Sequence, residues 1–172
     1  MDDEAGFREF VAARLAQLSR VAYLLTGDHH KAEDLVQVTL VKVARHWRRV
    51  SAAGAPDAYV RRALYHEHVS SWRGKRVPET PTADPPERAT GRDESAEAVR
   101  RIVLRDALAK LAPGQRAVIV LRYFEDLSEA DTADALGCSA GSVKSQAHHA
   151  LARLRVVAPE LAELIEDAEV PA

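Results

Sequence analysis

Only one cysteine, Cys138, stands in the 172 residues, so no internal disulfide can form and the companion thiols of a structural zinc site are missing. Such usage suits a reducing compartment. No apolar run approaches the ~20 residues needed to span a bilayer. The amino terminus, Met1-Asp2-Asp3-Glu4, is acidic where a secretory leader is basic, and no apolar stretch with a small-residue cleavage site follows it. The cytoplasm is therefore the expected compartment. Nucleophile motifs, phosphate-binding glycine loops and convergent carboxylate pairs are also missing. The chain is expected to be no enzyme, with no catalytic residue and no cofactor. Its seven histidines do not make a metal site either. His29-His30 and His148-His149 are adjacent pairs, and the spacing of His66-Glu67-His68 does not put two ligands on one helix face.

What is present is globular: hydrophobic residues make up 47% and charged residues 29%. The net charge of −2 conceals an asymmetry along the chain. Residues 1–76 hold 13 Lys/Arg against 9 Asp/Glu, residues 77–95 hold 2 against 5, and residues 96–172 hold 9 against 12. From Val157 onward five acids occur with no Lys or Arg, so without that acidic C-terminal tail (157–172) the third segment is net positive. Local charge thus favours a polyanionic partner where the overall charge does not.

The pattern reads as all-α, in two small helical domains. Phe7, Phe10, Val11, Leu15, Leu18, Val21, Ala22 and Leu25 follow the three-four spacing of one apolar helix stripe. Thr26-Gly27-Asp28 breaks it, with glycine for the helix exit and Asp28 as the next cap. A second helix is expected from about Lys31 to Trp47, burying Leu35, Val38 or Thr39, Val43 and Trp47, with Glu33, Asp34, Gln37, Lys42 and Arg45 outward. Asp57 should cap a third, reaching about Arg73, with Val60, Leu64, Val69 and Trp72 inward. Residues 77–95 contain Pro78, Pro81, Pro85 and Pro86 among polar and acidic neighbours, which reads as a flexible linker. Val99, Ile102, Val103, Leu108 and Leu111 predict a fourth amphipathic helix. Pro113 opens a fifth, continued by Val118, Ile119, Leu121 and Tyr123.

From Asp126 the sequence runs DLSEADTADALGCSAGSVKSQAHHALARLR. Ser128 with Asp131 resembles a capping box for a helix to Leu136, Gly137 permits a sharp turn, and Ser139 caps a helix from Ala140 to about Arg155. Two short helices on a tight glycine turn make a helix-turn-helix, whose second helix suits the major groove of DNA. Val143, Ala147, Ala150, Leu151 and Leu154 can face inward while Lys144, Ser145, Gln146, His148 and His149 face outward. No acid falls between Ala140 and Arg155, as a helix lying against phosphates requires. An ordinary helical hairpin with a solvated face is compatible with this motif alone.

Three blocks in order extend the reading. KAEDLVQVTLVKVARHW (31–47), PDAYVRRALYHEHVSSWRGKR (56–76) and LAPGQRAVIVLRYFEDLSEADTADALGCSAGSVKSQAHHALARLR (111–155) resemble the bacterial RNA polymerase sigma factors of the extracytoplasmic-function group, in particular their actinobacterial members. The resemblance implies a region 2 domain over 1–76, a linker over 77–95 and a region 4 domain over 96–156. It implies a chain that binds core RNA polymerase, through the clamp helices of β′ and the flap of β, and carries it to promoter DNA. It also makes an anti-sigma factor a possible partner; no membrane is expected among the partners.

By the same resemblance, Glu33, Asp34, Leu35, Gln37 and Thr39 belong to the clamp-binding helix. A loop from Arg48 to Ala55, with Arg48, Ser51 and Ala52, would receive a base flipped from the −10 element. Arg61 and Arg62 would hold phosphates, Arg73 belongs to the same −10 set, Tyr65 or Trp72 could stack on a base, and His66 stands where relatives commonly have asparagine. For the −35 element the implied contacts are Lys144, Ser145, Gln146, His148, His149 and Arg153. Relatives usually carry arginine where this chain has Gln146 and His149, and an acid where it has Val38. Arginine pairs best with guanine and glutamine with adenine, so the preferred element should differ. Two other classes fit the residues alone: a free-standing operator-binding regulator, and an adaptor that binds proteins through its amphipathic helices.

Overall fold

A computed structural model of the chain describes residues 3–73 and 95–169. Among these residues all regular structure is helical: α1 (Asp3–Thr26), α2 (His29–Ala44), α3 (Trp47–Ala52), α4 (Pro56–Arg73), α5 (Ser95–Ala109), α6 (Pro113–Ile119), a π-helical turn (Val120–Phe124), α7 (Glu129–Leu136), α8 (Ala140–Val157) and α9 (Pro159–Glu169). Two compact units result, the first chiefly residues 1–76 and the second chiefly the helices from Ser95 onward. Residues 77–94 of the expected linker lie outside the described residues, and Ser95 already opens α5. No helix among the described residues is long and apolar enough to cross a membrane.

In the first unit α1, α2 and α4 pack on one another with α3 against all three. The core is the apolar stripe of each: Leu18, Val21, Ala22 and Leu25 of α1, Leu35, Val36 and Val43 of α2, and Val60, Leu64 and Val69 of α4. Each such large side chain contributes about 1.5–3 kcal/mol by leaving water. Between α1 and α2 the chain turns on Gly27, whose φ of 70° is a left-handed conformation that a side chain would strain. Asp28 then caps α2, its carboxylate accepting from the Lys31 N–H at 2.9 Å.

Three sequence expectations change here and one open alternative is decided. The second helix stops at Ala44, and Trp47 instead opens α3, its ring drawn against Phe7 and Phe10 at centroid distances of 5.2 and 5.1 Å. Of the Val38/Thr39 pair, Thr39 is the buried one. Its hydroxyl donates to the Leu35 carbonyl at 2.7 Å and so needs no water, which leaves Val38 42% exposed. Asp57 does not cap α4: the helix begins at Pro56, whose missing N–H costs nothing in a first turn, and the Asp57 carboxylate is held by Arg14 of α1. Finally, the loop expected from Arg48 to Ala55 is helical to Ala52, because Trp47 and Val50 bury on α3; the turn is confined to Ala53-Gly54-Ala55.

The second unit is built around residues 117–121, which run from α6 into the π-helical turn and are buried at every position, as befits a helix surrounded by others. Pro113 starts α6 as expected, and Gln115 Oε1 accepts the Ala112 N–H at 3.2 Å. The Glu125 N–H reaches back to the Val120 carbonyl at 3.0 Å, the five-residue step of a π turn. On α5 the pattern misleads. Val99, Ile102 and Val103 are 57%, 40% and 52% exposed, whereas burial sets in only at Ala107, Leu108 and Leu111. That end of α5 is fixed by Arg116, whose Nε donates to the Leu108 carbonyl at 2.9 Å, a cation on the orphan acceptors of a helix C-terminus. Burial of this guanidinium lowers its pKa from the ordinary arginine value.

The acidic segment is helical over Pro159–Glu169. α9 packs on α8 through Ala162 and Ile165, and Arg155 Nη2 meets Glu166 Oε1 at 2.5 Å.

Candidate nucleic-acid interface

α7 and α8 form the helix-turn-helix. The Asp131 N–H donates to the Ser128 hydroxyl at 3.0 Å while that hydroxyl donates to the Asp131 carboxylate at 2.6 Å, a variant of the expected capping box. α7 closes with the Cys138 N–H on the Ala133 carbonyl at 2.9 Å, around Gly137 at φ 62°. This left-handed closure turns the chain within three residues. Ser139 then caps α8, accepting from the Ser142 N–H at 3.1 Å. The approach to α7 is set by Asp126, at φ 53° in a region that short polar side chains tolerate, and by Arg122, whose Nη1 donates to the Leu127 carbonyl at 2.5 Å.

Along α8 the buried positions are Val143, Ala150, Leu151 and Leu154, with Ala147 half-buried between them. That spacing turns Lys144, Ser145, Gln146, His148, His149 and Arg153 to the surface, and all six are exposed. The His148 and His149 rings lie 5.8 Å apart at 68°. α8 has no carboxylate of its own, but one reaches it from α7: Glu129 Oε2 sits 3.5 Å from Lys144 Nζ. Such a contact is invisible in a linear reading of charge.

α4 supplies the other basic face. Arg62 and His66, one turn apart, are exposed and Arg61 is half-buried; Arg73 ends the helix, its side chain outside the described ones. Tyr65 is corrected: it is 2% exposed and belongs to the core, so it presents no ring to a base. Trp72 is half-buried. The exposed aromatic of α4 is Tyr59, on the same stripe as Arg62 and His66, a residue that sequence reasoning passed over. On α3, Arg48, Ser51 and Ala52 are exposed, and Arg48 and Ala52 line an open cavity of about 460 Å³ with Arg45, His46 and Arg49.

On α2 the expected protein-binding residues divide. Glu33, Asp34 and Gln37 are exposed, while Leu35 and Thr39 are buried in the first core and are removed from the surface set. Val38 and Val41 join the exposed three at 42% and 55% exposure. Asp34, Gln37, Val38 and Val41 form one stripe, mixed acidic and apolar.

Known proteins match both units. Residues 10–77 match the family described as Sigma-70 region 2 and residues 101–154 the one described as Sigma-70, region 4. The chain is 42% identical over 149 residues to RNA polymerase sigma-E factor of Streptomyces avermitilis, covering 87% of this chain and 83% of that one. It is 36% identical over 151 residues to ECF RNA polymerase sigma factor SigL of Mycobacterium tuberculosis, covering 85% of each. Among solved structures, the sigma factor RpoE in complex with the anti-sigma factor NepR from Bartonella quintana is similar at TM-score 0.64 and 27% identity, over 88% of this chain and 96% of that one. CnrH, solved with the cytosolic domain of CnrY, shares the fold at TM-score 0.59 and 20% identity, over 97% of this chain and 91% of that one.

Proposed function

The chain belongs to the extracytoplasmic-function group of sigma-70 factors, and from that membership we propose how its surfaces divide the work of starting transcription. It is not an enzyme: it directs RNA polymerase to promoters, and the polymerase supplies the chemistry. The observation that carries the reading is that both family regions are present in order on one chain, each with an exposed basic helix, α4 and α8. A lone operator-binding regulator has no use for the first, and an adaptor for neither.

The division follows exposure and charge. α8 enters the major groove of the −35 element, with Gln146 and His149 at base edges, Lys144, Ser145 and His148 beside them, and Arg153 on the backbone. α4 meets the −10 element, where Arg61, Arg62 and Arg73 hold phosphates, His66 stands at the base-reading position and Tyr59 takes the stacking role. Ser51, Ala52 and the turn to Ala55 leave space for an unpaired base, and the chain helps to melt the −10 region by holding it. Glu33, Asp34, Gln37, Val38 and Val41 form the face for the β′ clamp helices, the valines adding apolar area in its centre. The second unit meets the β flap. Domain bounds of 1–76 and 96–156, a connector over 77–95 and work in the cytoplasm complete the reading. An anti-sigma factor is a further partner, as NepR is for RpoE.

One experiment tests it: the purified chain is added to bacterial core polymerase and the transcripts initiated on genomic DNA are sequenced. Starts sharing two spaced elements are expected. Initiation as unspecific as that of core alone defeats the reading.

A further inference from the structure

α9 brings the opposite charge to α8. It carries Glu160, Glu163, Glu166, Asp167 and Glu169 with no Lys or Arg, and it begins beyond residues 101–154, the segment that matches region 4. Burial of Ala162 and Ile165 holds it on α8. Glu166 thereby reaches Arg155, Oε1 to Nη2 at 2.5 Å. That oxygen is shut off from water and takes no directed hydrogen bond, so the contact is ionic and Arg155 is the charge that compensates it. Arg155 shares a stripe of α8 with Lys144 and His148, at the helical spacings of four and seven. The cations at the two ends of this stripe are both taken by acids of neighbouring helices, Lys144 by Glu129 of α7 and Arg155 by Glu166 of α9. On the other flank, among the described residues, no ion pair joins Arg153 to an acid.

We propose that α9 is an internal competitor for DNA: Glu166 withholds Arg155 from phosphates, so the helix-turn-helix grips any duplex less tightly than its own charge would allow. This rests on the reading of α8 as the −35 helix and adds a restraint on it, from a helix outside the region 4 match. An arginine released to a phosphate would leave the Glu166 oxygen buried without a counter-charge, which costs more than parting an exposed pair. The withheld contact is one to the backbone, so its loss falls on every sequence alike. The consequence is for the free chain. A genome offers on the order of 10⁶–10⁹ non-specific sites. A chain that holds them weakly remains available to polymerase, on which its −10 and −35 contacts act together and a weak second contact suffices.

The test measures binding of the full chain to two fluorescent duplexes, one bearing the −35 element and one of unrelated sequence, by anisotropy against KCl concentration. The proteins are the wild type, Glu166→Gln, Arg155→Gln, the double variant and, as a charge control on the exposed side of α9, Glu163→Gln. One more phosphate contact on a duplex adds about 0.9 to the slope of log affinity against log salt, equivalent to about eightfold at about 0.1 M salt. Glu166→Gln should gain about that much of both, on both duplexes. Arg155→Gln should bind as the wild type does, because the arginine it removes was already withheld, and so should the double variant, in which nothing is left to release. Glu163→Gln should leave the slope unchanged. An unaltered slope in Glu166→Gln, or a gain confined to the −35 duplex, overturns the proposal. So does an equal gain in Glu163→Gln, which reduces the effect to net charge, and so does weaker binding by Arg155→Gln, which puts Arg155 on DNA already. Arg153→Gln is scored alongside. If it leaves binding unaltered and the wild type does not prefer the −35 duplex, the reading of α8 fails; if it weakens binding while Glu166→Gln changes nothing, the competitor fails alone.

Discussion

Arg14 of α1 and Asp57 of α4, 43 residues apart in sequence, meet side by side, Nε to Oδ1 at 2.5 Å and Nη2 to Oδ2 at 3.1 Å. The fork geometry fixes where α4 starts relative to α1. The hydrogen bond from Arg14 holds the Asp57 carboxyl below the usual aspartate range, and the same bond raises the arginine.

A carboxyl whose pKa is depressed by folding contributes stability that is present above its unfolded value, about 3.9, and lost as pH falls through the folded one. Asp57→Asn should therefore lower the urea midpoint of the first unit at neutral pH, and the gap from wild type should close in acid below about pH 4. A gap of equal size at about pH 3 would mean that the contact is not ionic in effect.

Glu129 Oε2 lies 3.5 Å from Lys144 Nζ, so on the proposed reading of α8 it competes with DNA for that lysine. An exposed pair of this kind is worth about 1 kcal/mol or less, so Glu129→Gln should tighten binding to a −35 duplex by up to about fivefold at low salt. Fluorescence anisotropy against salt checks it. Weaker binding by the variant would show that Glu129 orients Lys144 and does not sequester it.

Gln146 and Arg61 should behave differently when replaced. Gln146→Arg is expected to move preference at one −35 position from adenine towards guanine, by about 1–3 kcal/mol of discrimination. Arg61→Ala should weaken binding across sequences and reduce the salt slope by about 1. Selection from randomised promoters, followed by salt titration, separates the two, and identical behaviour would undo the division into reader and holder.

Ile165 of α9 is buried where the sequence suggested only an acidic tail. Ile165→Ala should cost the second unit about 2–4 kcal/mol, measured by urea unfolding of the full chain. A loss under about 0.5 kcal/mol, typical of a surface site, would mean that α9 contributes no packing.

Much of this was legible in the chain, and for local reasons. Gly27 with Asp28, Pro113, and Ser128 to Ser139 act through neighbours one to five residues away, so helix ends and the helix-turn-helix could be read directly. The stripe on α8 was legible too, since a helix that exposes Lys144, Gln146 and His149 must bury Val143, Ala150 and Leu154. What failed depended on partners distant in sequence. Periodicity could not tell whether Tyr65 or Tyr59 of α4 faces the core, because both neighbour apolar positions, and only the packing of α1 and α2 against α4 decided it. Nor could it show that Val99, Ile102 and Val103 stay exposed while Arg116 secures the end of α5.

The sequence by itself therefore determined an all-helical chain, its helix-turn-helix and the family to which its three blocks point, because capping, turning and one-faced patterning are properties of short stretches. Tertiary structure decided that Arg14 rather than a backbone N–H takes Asp57, that Glu129 reaches Lys144, that α9 folds onto α8, and that Arg45, His46, Arg48 and Arg49 surround one cavity. Those outcomes depend on how a helix is rotated and what it meets, which burial of Trp47, Val50 and Ile165 sets and no local signal encodes.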